Sequence, residues 1–236
     1  MLSKKKDIWI VISLCVLAFY IVFMIYPLGI LFKNAVIENN GSFTFAYFTK
    51  FLSKNYYFST IFNSFKVSLA ATALTLIIGT PLAYFYNMYK IKGKTFLQII
   101  IILCSMSAPF IGAYSWILLL GRNGLITNTI RNLIGFNVPS IYGFGGILLV
   151  LCMQLYPLVF LYVSGALRNI DNSLLEASEN MGCTGARRFF KIIIPLCIPT
   201  ILAAALMVFM RAFADFGTPL FIGEGYRTFP VEIYNQ

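Results

Sequence analysis

The side chains able to do chemistry in this chain are few, and the types that are missing decide much. There is no histidine, and 8 acidic residues stand against 18 lysines and arginines. Five cysteines form no CxxC pair; Cys15, Cys104, Cys152 and Cys197 fall in apolar runs and Cys183 in a polar one, where they read as small packing residues. Without imidazole, paired thiols or clustered carboxylates, no pattern for a bound metal or for general-base catalysis is present, and no residue is assigned a catalytic or metal-binding role. No glycine-rich loop ending in Lys and Ser or Thr is present to cradle ATP phosphates. The remaining polar groups gather in a few places. One is the run EASENMGCTGARRFFKIIIP, Glu176 to Pro195. Another is Arg211 with Asp215, four residues apart on one helical face, where they can neutralise each other as a structural ion pair or serve as contacts of a passage or gate. Gln154 with Pro157, and Ser105 and Ser107 with Pro109 and Gly112, mark kinked or closely packed points inside apolar runs, as pathway or packing sites.

The elements that must position these groups follow from composition. Hydrophobic residues make up 59% of the chain and charged residues 11%, with a mean hydropathy of +0.82. Soluble domains hold about 45–50% apolar and about 25% charged residues. Five runs reach the ~20 residues needed to cross a bilayer, near residues 9–32, 61–86, 96–120, 141–166 and 192–214. Lipid offers no partner to an open backbone, so each is expected to be a helix, and none has the short alternating pattern of a barrel strand. The expected class is an all-α, polytopic helical membrane protein, organised as one domain over 1–236 with no internal repeat.

Orientation follows from the basic residues. With the N-terminus inside, the inner loops hold Lys4, Lys5, Lys6, Lys90, Lys92, Lys94, Arg168, Arg187, Arg188 and Lys191, while the longer outer loops hold Lys33, Lys50, Lys54, Arg122, Arg131 and Arg227. The first apolar run is too long for a signal peptide, and Tyr26-Pro27-Leu28-Gly29 offers no small-residue cleavage site, so it reads as a retained anchor. The net charge of +10 then speaks for topology and contact with anionic lipid rather than nucleic acid. Lys66 is expected to snorkel to the outer interface. The aromatic residues between Phe43 and Phe58 resemble an interfacial belt.

Within the cytoplasmic loop 167–191, Ser173-Leu174-Leu175-Glu176 has the form of a capping box and predicts a helix start at Ser173. Leu174, Ala177 or Ser178, and Met181 recur at helical spacing and form one apolar stripe. Gly182 supplies a left-handed stop, Thr184-Gly185-Ala186 restarts the chain, and Pro195 falls in the first turns of the last helix. A helix lying on lipid would carry its own basic residues; this one carries Glu176 and Glu179, which suits a protein groove better.

Glu176-Ala177-Ser178, three residues, Gly182, nine residues, then Ile192-Ile193-Ile194-Pro195 resembles the EAA loop of permease subunits of binding-protein-dependent ABC importers, with serine as its third residue. The resemblance implies a type I importer transmembrane fold, like that of methionine permeases. It also implies a coupling helix seated in a groove of a separate ATPase subunit, which binds the ATP. Carried across, Glu176, Ala177, Ser178 and Gly182 form the docking element, and Ile192, Ile194 and Pro195 fix where the following helix begins. Further stretches are similar to the same family: Asn63-Ser64, Gly79 to Tyr84, Ser107 to Trp116, Gly121 to Gly124, Ser164 to Asp171, and Ala214 to Pro219. These look like the ferric-iron permease branch, which adjoins spermidine/putrescine, thiamine, phosphonate and sugar-phosphate systems.

The resemblance implies further partners: an extracytoplasmic solute-binding protein that holds the selectivity, and a second permease half or copy. It implies a multi-pass protein of the bacterial inner membrane. Phe216 to Gln236 reads as a polar outer segment where the family crosses once more, so the chain resembles an N-terminal half without its last helix, a truncated or split product. A secondary transporter or channel is the alternative class; it would show ionisable residues deep in several helices, which are sparse here.

Overall fold

The computed structural model describes residues 2–37, 42–89, 92–106, 108–135 and 140–235. By its contacts the chain forms two compact units, Met1–Phe58 and Ser59–Gln236, where the sequence suggested one undivided domain. Among the described residues there is no sheet, only an isolated antiparallel bridge between Ile37 and Phe43.

The first unit holds α1, Ile8–Val36, and α2, Ala46–Ser53. No residue of the α1 span is buried, as expected of a helix whose neighbour is lipid. It widens into a π turn at Ile21–Ile25, where the Tyr26 N–H donates to the Ile21 carbonyl. Pro27 follows; its ring would crowd the carbonyl four residues back, and the inserted residue of the π turn relieves that clash. Most aromatic residues of this unit are exposed, while Phe51 and Tyr57 are half-buried and stack at 4.8 Å.

The second unit is built around α7, Phe144–Arg168. Around it stand α3, Asn55–Met88; α4, Lys94–Ser105; α5, Pro109–Leu120; α6, Leu125–Ile134; α8, Asn172–Asn180; α9, Gly185–Ala214; α10, Gly217–Ile222; and α11, Phe229–Tyr234. α7 packs against α9, α4, α5 and α10 and supplies much of the core, with Ile147, Val150, Leu151, Val159, Phe160 and Val163 buried. Lipid is as apolar as leucine, so close packing and hydrogen bonds must hold such helices together. Asn87 Nδ2 on α3 donates to Ser164 Oγ on α7 at 2.8 Å, and the Tyr86 hydroxyl donates to Gln98 Oε1 on α4 at 2.7 Å. Along one face of α3, Ser64, Ser68, Thr72 and Thr75 are buried; the last three donate to backbone carbonyls one turn back at 2.7–2.9 Å, so these hydroxyls pack inside with a partner, whereas Thr80 Oγ1 further along the helix has none.

Several expectations need correction. Four helices are long and apolar enough to cross a membrane alone; a fifth crossing exists if a bent pair counts as one span, since Lys94–Ser105 meets Phe110–Leu133 at 106°. The expected continuous helix over 96–120 is therefore broken. Pro109 pushes the residue before it out of the helical region, and Ala108 accordingly lies at φ −67°, ψ 139°. The last long helix begins at Gly185 rather than Ile192, and passes through a second π turn, Phe189–Ile193, before Pro195. Lys66 is exposed and lies over the Phe144 ring at 5.1 Å, a cation–π contact that leaves the expectation for this lysine as it stands. Finally, residues 216–236 are not a plain polar loop: α10 and α11 bury Thr218, Ile222 and Val231.

Candidate functional site

The segment expected to be cytoplasmic starts with Asp171, whose Oδ1 accepts from the Ser173 N–H at 2.9 Å and caps α8. The cap is thus two residues earlier than the expected Ser173 box, and Ser173 lies inside the helix. A carboxylate at the positive end of a helix gains from the dipole as well as the hydrogen bond, which favours Asp171. That bond holds the Asp171 carboxyl below its ordinary pKa. The helix closes at Gly182, φ +73°, whose N–H donates to the Glu179 carbonyl at 2.9 Å. The Cys183 N–H donates to the Ser178 carbonyl at 2.9 Å. Such a left-handed position is natural only to glycine.

The two faces of α8 differ. Ser178 is 1% exposed and Leu175 packs against the core, so this side holds the helix to the body. Leu174, Ala177 and Met181 form the stripe that adjoins this side, with Leu174 52% and Met181 78% exposed, and Glu176 is exposed on another face. Glu179 pairs with Arg188 at 3.4 Å, linking α8 to the start of α9. Phe189 at the π turn lies 4.7 Å from the Tyr84 ring of α3, and Ile193 is buried. Ile192 and Ile194 are half-buried and Pro195 is exposed, with Pro195 at the return from π to α geometry. A displacement of α8 therefore has direct contacts through which to reach α9 and α3.

The other sequence candidates fall at one cavity of about 420 Å³, lined in part by Phe110, Gln154, Arg211, Asp215 and Phe216. Arg211 and Asp215 do not form the expected ion pair. α9 ends at Ala214, and Asp215 has extended backbone (ψ 121°), so its side chain leaves the helical register and its Oδ1 accepts from the Gly217 N–H at 3.1 Å. Asp215 Oδ2 and Gln154 Oε1 are buried without a hydrogen bond. Pro109 is the first residue of α5, next to Phe110 at the cavity; Ser107 lies outside the described residues.

Sequence reasoning gave no role to the groups that tie α10 and α11 to the body. Asn63 Nδ2 donates to the Arg227 carbonyl at 3.1 Å, and the Phe229 N–H donates to Ser64 Oγ at 2.8 Å. The Gly143 N–H donates to the Ile222 carbonyl at 2.8 Å, and Arg122 pairs with Glu224. The Asn63-Ser64 pair was visible as part of a resemblance, but its partners are about 165 residues away in sequence.

Known proteins match this architecture. Residues 75–236 match the family described as binding-protein-dependent transport system inner membrane component. A putative ferric transport system permease protein of Haemophilus influenzae is 27% identical over 99% of this chain, which spans 38% of that protein's length. A putative 2-aminoethylphosphonate transport system permease protein of Salmonella typhimurium is 24% identical over the whole chain, covering 82% of the relative. Among solved structures, a chain of a bacterial alginate ABC transporter in complex with an alginate pentasaccharide-bound periplasmic protein superimposes with a TM-score of 0.78. That match covers 98% of this chain and 83% of the other at 17% identity, a likeness of fold. With the family match running through α8, the cavity and the outer helices, the chain belongs to the binding-protein-dependent transport system inner membrane components.

Proposed function

We propose that this chain is the membrane-spanning permease subunit of an ATP-driven importer, in which α8 docks on a separate ATPase subunit and carries its closing motion into α9 and α3. The observation that carries this reading is the exposed stripe Leu174, Ala177 and Met181, on a helix whose adjoining face is held to the body through Ser178 and Leu175, with Glu176 also exposed. Such a patch on an acidic helix suits a protein groove more than lipid. On this reading the N-terminus is cytoplasmic, consistent with the basic residues around α8. A loaded extracytoplasmic binding protein engages the outer side, and a second permease half or copy completes the pathway. Nucleotide inside and solute outside would then favour opposite states of one equilibrium.

The cargo proposed is ferric iron, supported by 27% identity to the Haemophilus influenzae relative along 99% of this chain. Aminoethylphosphonate is the second reading, and Arg211 at the cavity favours it, because a free guanidinium suits an anionic solute.

The test is reconstitution with the ATPase and the binding protein. Glu176→Lys, on an exposed face, and Gly182→Pro, which loses both the left-handed backbone and the donated N–H, are expected to leave ATP hydrolysis running while uptake falls. Uptake undiminished in both variants, or crosslinks from Met181→Cys to lipid alone, would sink the assignment.

A further inference from the structure

The cavity at the junction of α9 and α10 carries more chemistry than a passage wall needs. Its volume, about 420 Å³, falls in the range of small-molecule sites, roughly 300–1,000 Å³. Two positive features meet there. Arg211 makes no ion pair among the described residues. The start of α5 lies at the same wall through Phe110, and the cap residue, Ala108, has no side chain to take up the first N–H groups. A helix start of this kind presents free donors and a partial positive charge, and broken membrane helices can turn such ends toward anionic groups.

Against these stand two acceptors. Gln154 Oε1 and Asp215 Oδ2 are buried without a hydrogen bond, and both residues line the cavity. Buried acceptors are ordinarily satisfied; Thr218 bears on the Asp215 carboxylate as well, so Gln154 Oε1 is the acceptor that most lacks a donor that a solute could bring. Phe110 and Phe216, edge to face at 5.8 Å, give the cavity an apolar wall.

Resting on the importer reading, we infer that this cavity is a binding site for a small zwitterion. Arg211 and the start of α5 hold its anionic head, Asp215 and Gln154 accept from its ammonium end, and Phe110 and Phe216 cover the short hydrocarbon between. A bare trivalent cation fits poorly, because Arg211 opposes it and no cluster of three metal-binding side chains occurs among the described residues. A metal cargo would pass this point inside an anionic chelate.

The experiment is calorimetric titration of the full chain in nanodiscs with O-phosphoethanolamine, methyl phosphate, ethylamine and ferric citrate. O-phosphoethanolamine is expected to bind about tenfold more tightly than either single-ended probe, the factor one charge-assisted contact supplies. Arg211→Gln is expected to lower that affinity about tenfold while leaving ethylamine binding unchanged. Asp215→Asn keeps an acceptor for the Gly217 N–H and is expected to weaken the ammonium end alone. Equal affinity for the three organic probes, no binding of any, or no effect of Arg211→Gln in a monodisperse protein overturns the site. The readings fail separately: a chain that co-purifies an ATPase yet binds no probe keeps the importer reading and loses this one. Zwitterion binding through Arg211 in a chain that engages no ATPase does the reverse.

Discussion

The segment around α8 and the segment of α10 and α11 are built from similar material and finished in opposite ways. Both are short helices joined to α9 through a turn, and both contain several apolar residues. In the second, Ile222 and Val231 are buried, and backbone and side-chain hydrogen bonds reach from it to Gly143, Asn63 and Ser64. In the first, Leu174 and Met181 remain on the surface. The α10–α11 segment has apolar surface covered within the chain, while α8 is held along one face and keeps an apolar stripe exposed, the stripe that the importer reading gives to a partner.

That contrast can be broken by adding a single methyl group on each side. At Gly146 in α7 a new Cβ would lie 1.4 Å from the Ile141 carbonyl oxygen and 3.0 Å from Ile222 Cγ2. Gly146→Ala must displace backbone beside α10, and is expected to cost about 3 kcal/mol, in the range of severe overpacking. Thermal unfolding in detergent would show it as a large drop in midpoint. A drop no larger than that of Gly182→Ala would mean the α10–α11 segment is not the rigid one.

Ser64→Ala comes next. It removes the acceptor of the partly buried Phe229 N–H contact and is expected to cost about 1–3 kcal/mol, the penalty of deleting one partner of such a hydrogen bond. Hydrogen exchange should speed up in 226–234 and not in 172–180; faster exchange in both would tie the two regions together. Gly182→Ala follows at about 1–2 kcal/mol. Nothing lies within 4 Å of its new Cβ, so the cost is the left-handed backbone alone and should fall on α8.

The smallest effect is that of pH on the α8 cap. The Asp171 carboxyl is held below its ordinary pKa by the Ser173 N–H, so its contribution is present above the ordinary carboxylate range and is lost as pH falls through the lowered value. Protection of the first turn of α8 should therefore stay level through neutral and mildly acidic pH and decline only below that range. Asp171→Asn, which keeps an acceptor but cannot titrate, should flatten the decline. A decline that persists in Asp171→Asn would assign the acid sensitivity to another group.

Much of the α8 segment was legible in the chain, because its rules are local. Gly182 as a left-handed stop and the stripe of Leu174, Ala177 or Ser178, and Met181 depend on residues within a few turns of each other, though the fold buries Ser178 and leaves Ala177 exposed. Even there, two good capping residues stood close together, and sequence alone favoured Ser173 where the backbone chose the charged Asp171. Pro195 does not mark where the next helix begins: a π turn precedes it, as one precedes Pro27, and lets the helix run through from Gly185.

The sequence by itself determined the solvent and the secondary structure: long apolar runs in lipid can satisfy their backbone only as helices. It also determined where proline and glycine interrupt them, since these act through their own φ and their missing N–H or Cβ. Only the tertiary structure decided what those interruptions make. It bent α4 sharply against the segment after it, separated Asp215 from Arg211, and folded 217–234 into the body through Asn63 and Ser64. Those outcomes depend on contacts between residues far apart in the chain, whose cost and gain are settled only when the helices meet.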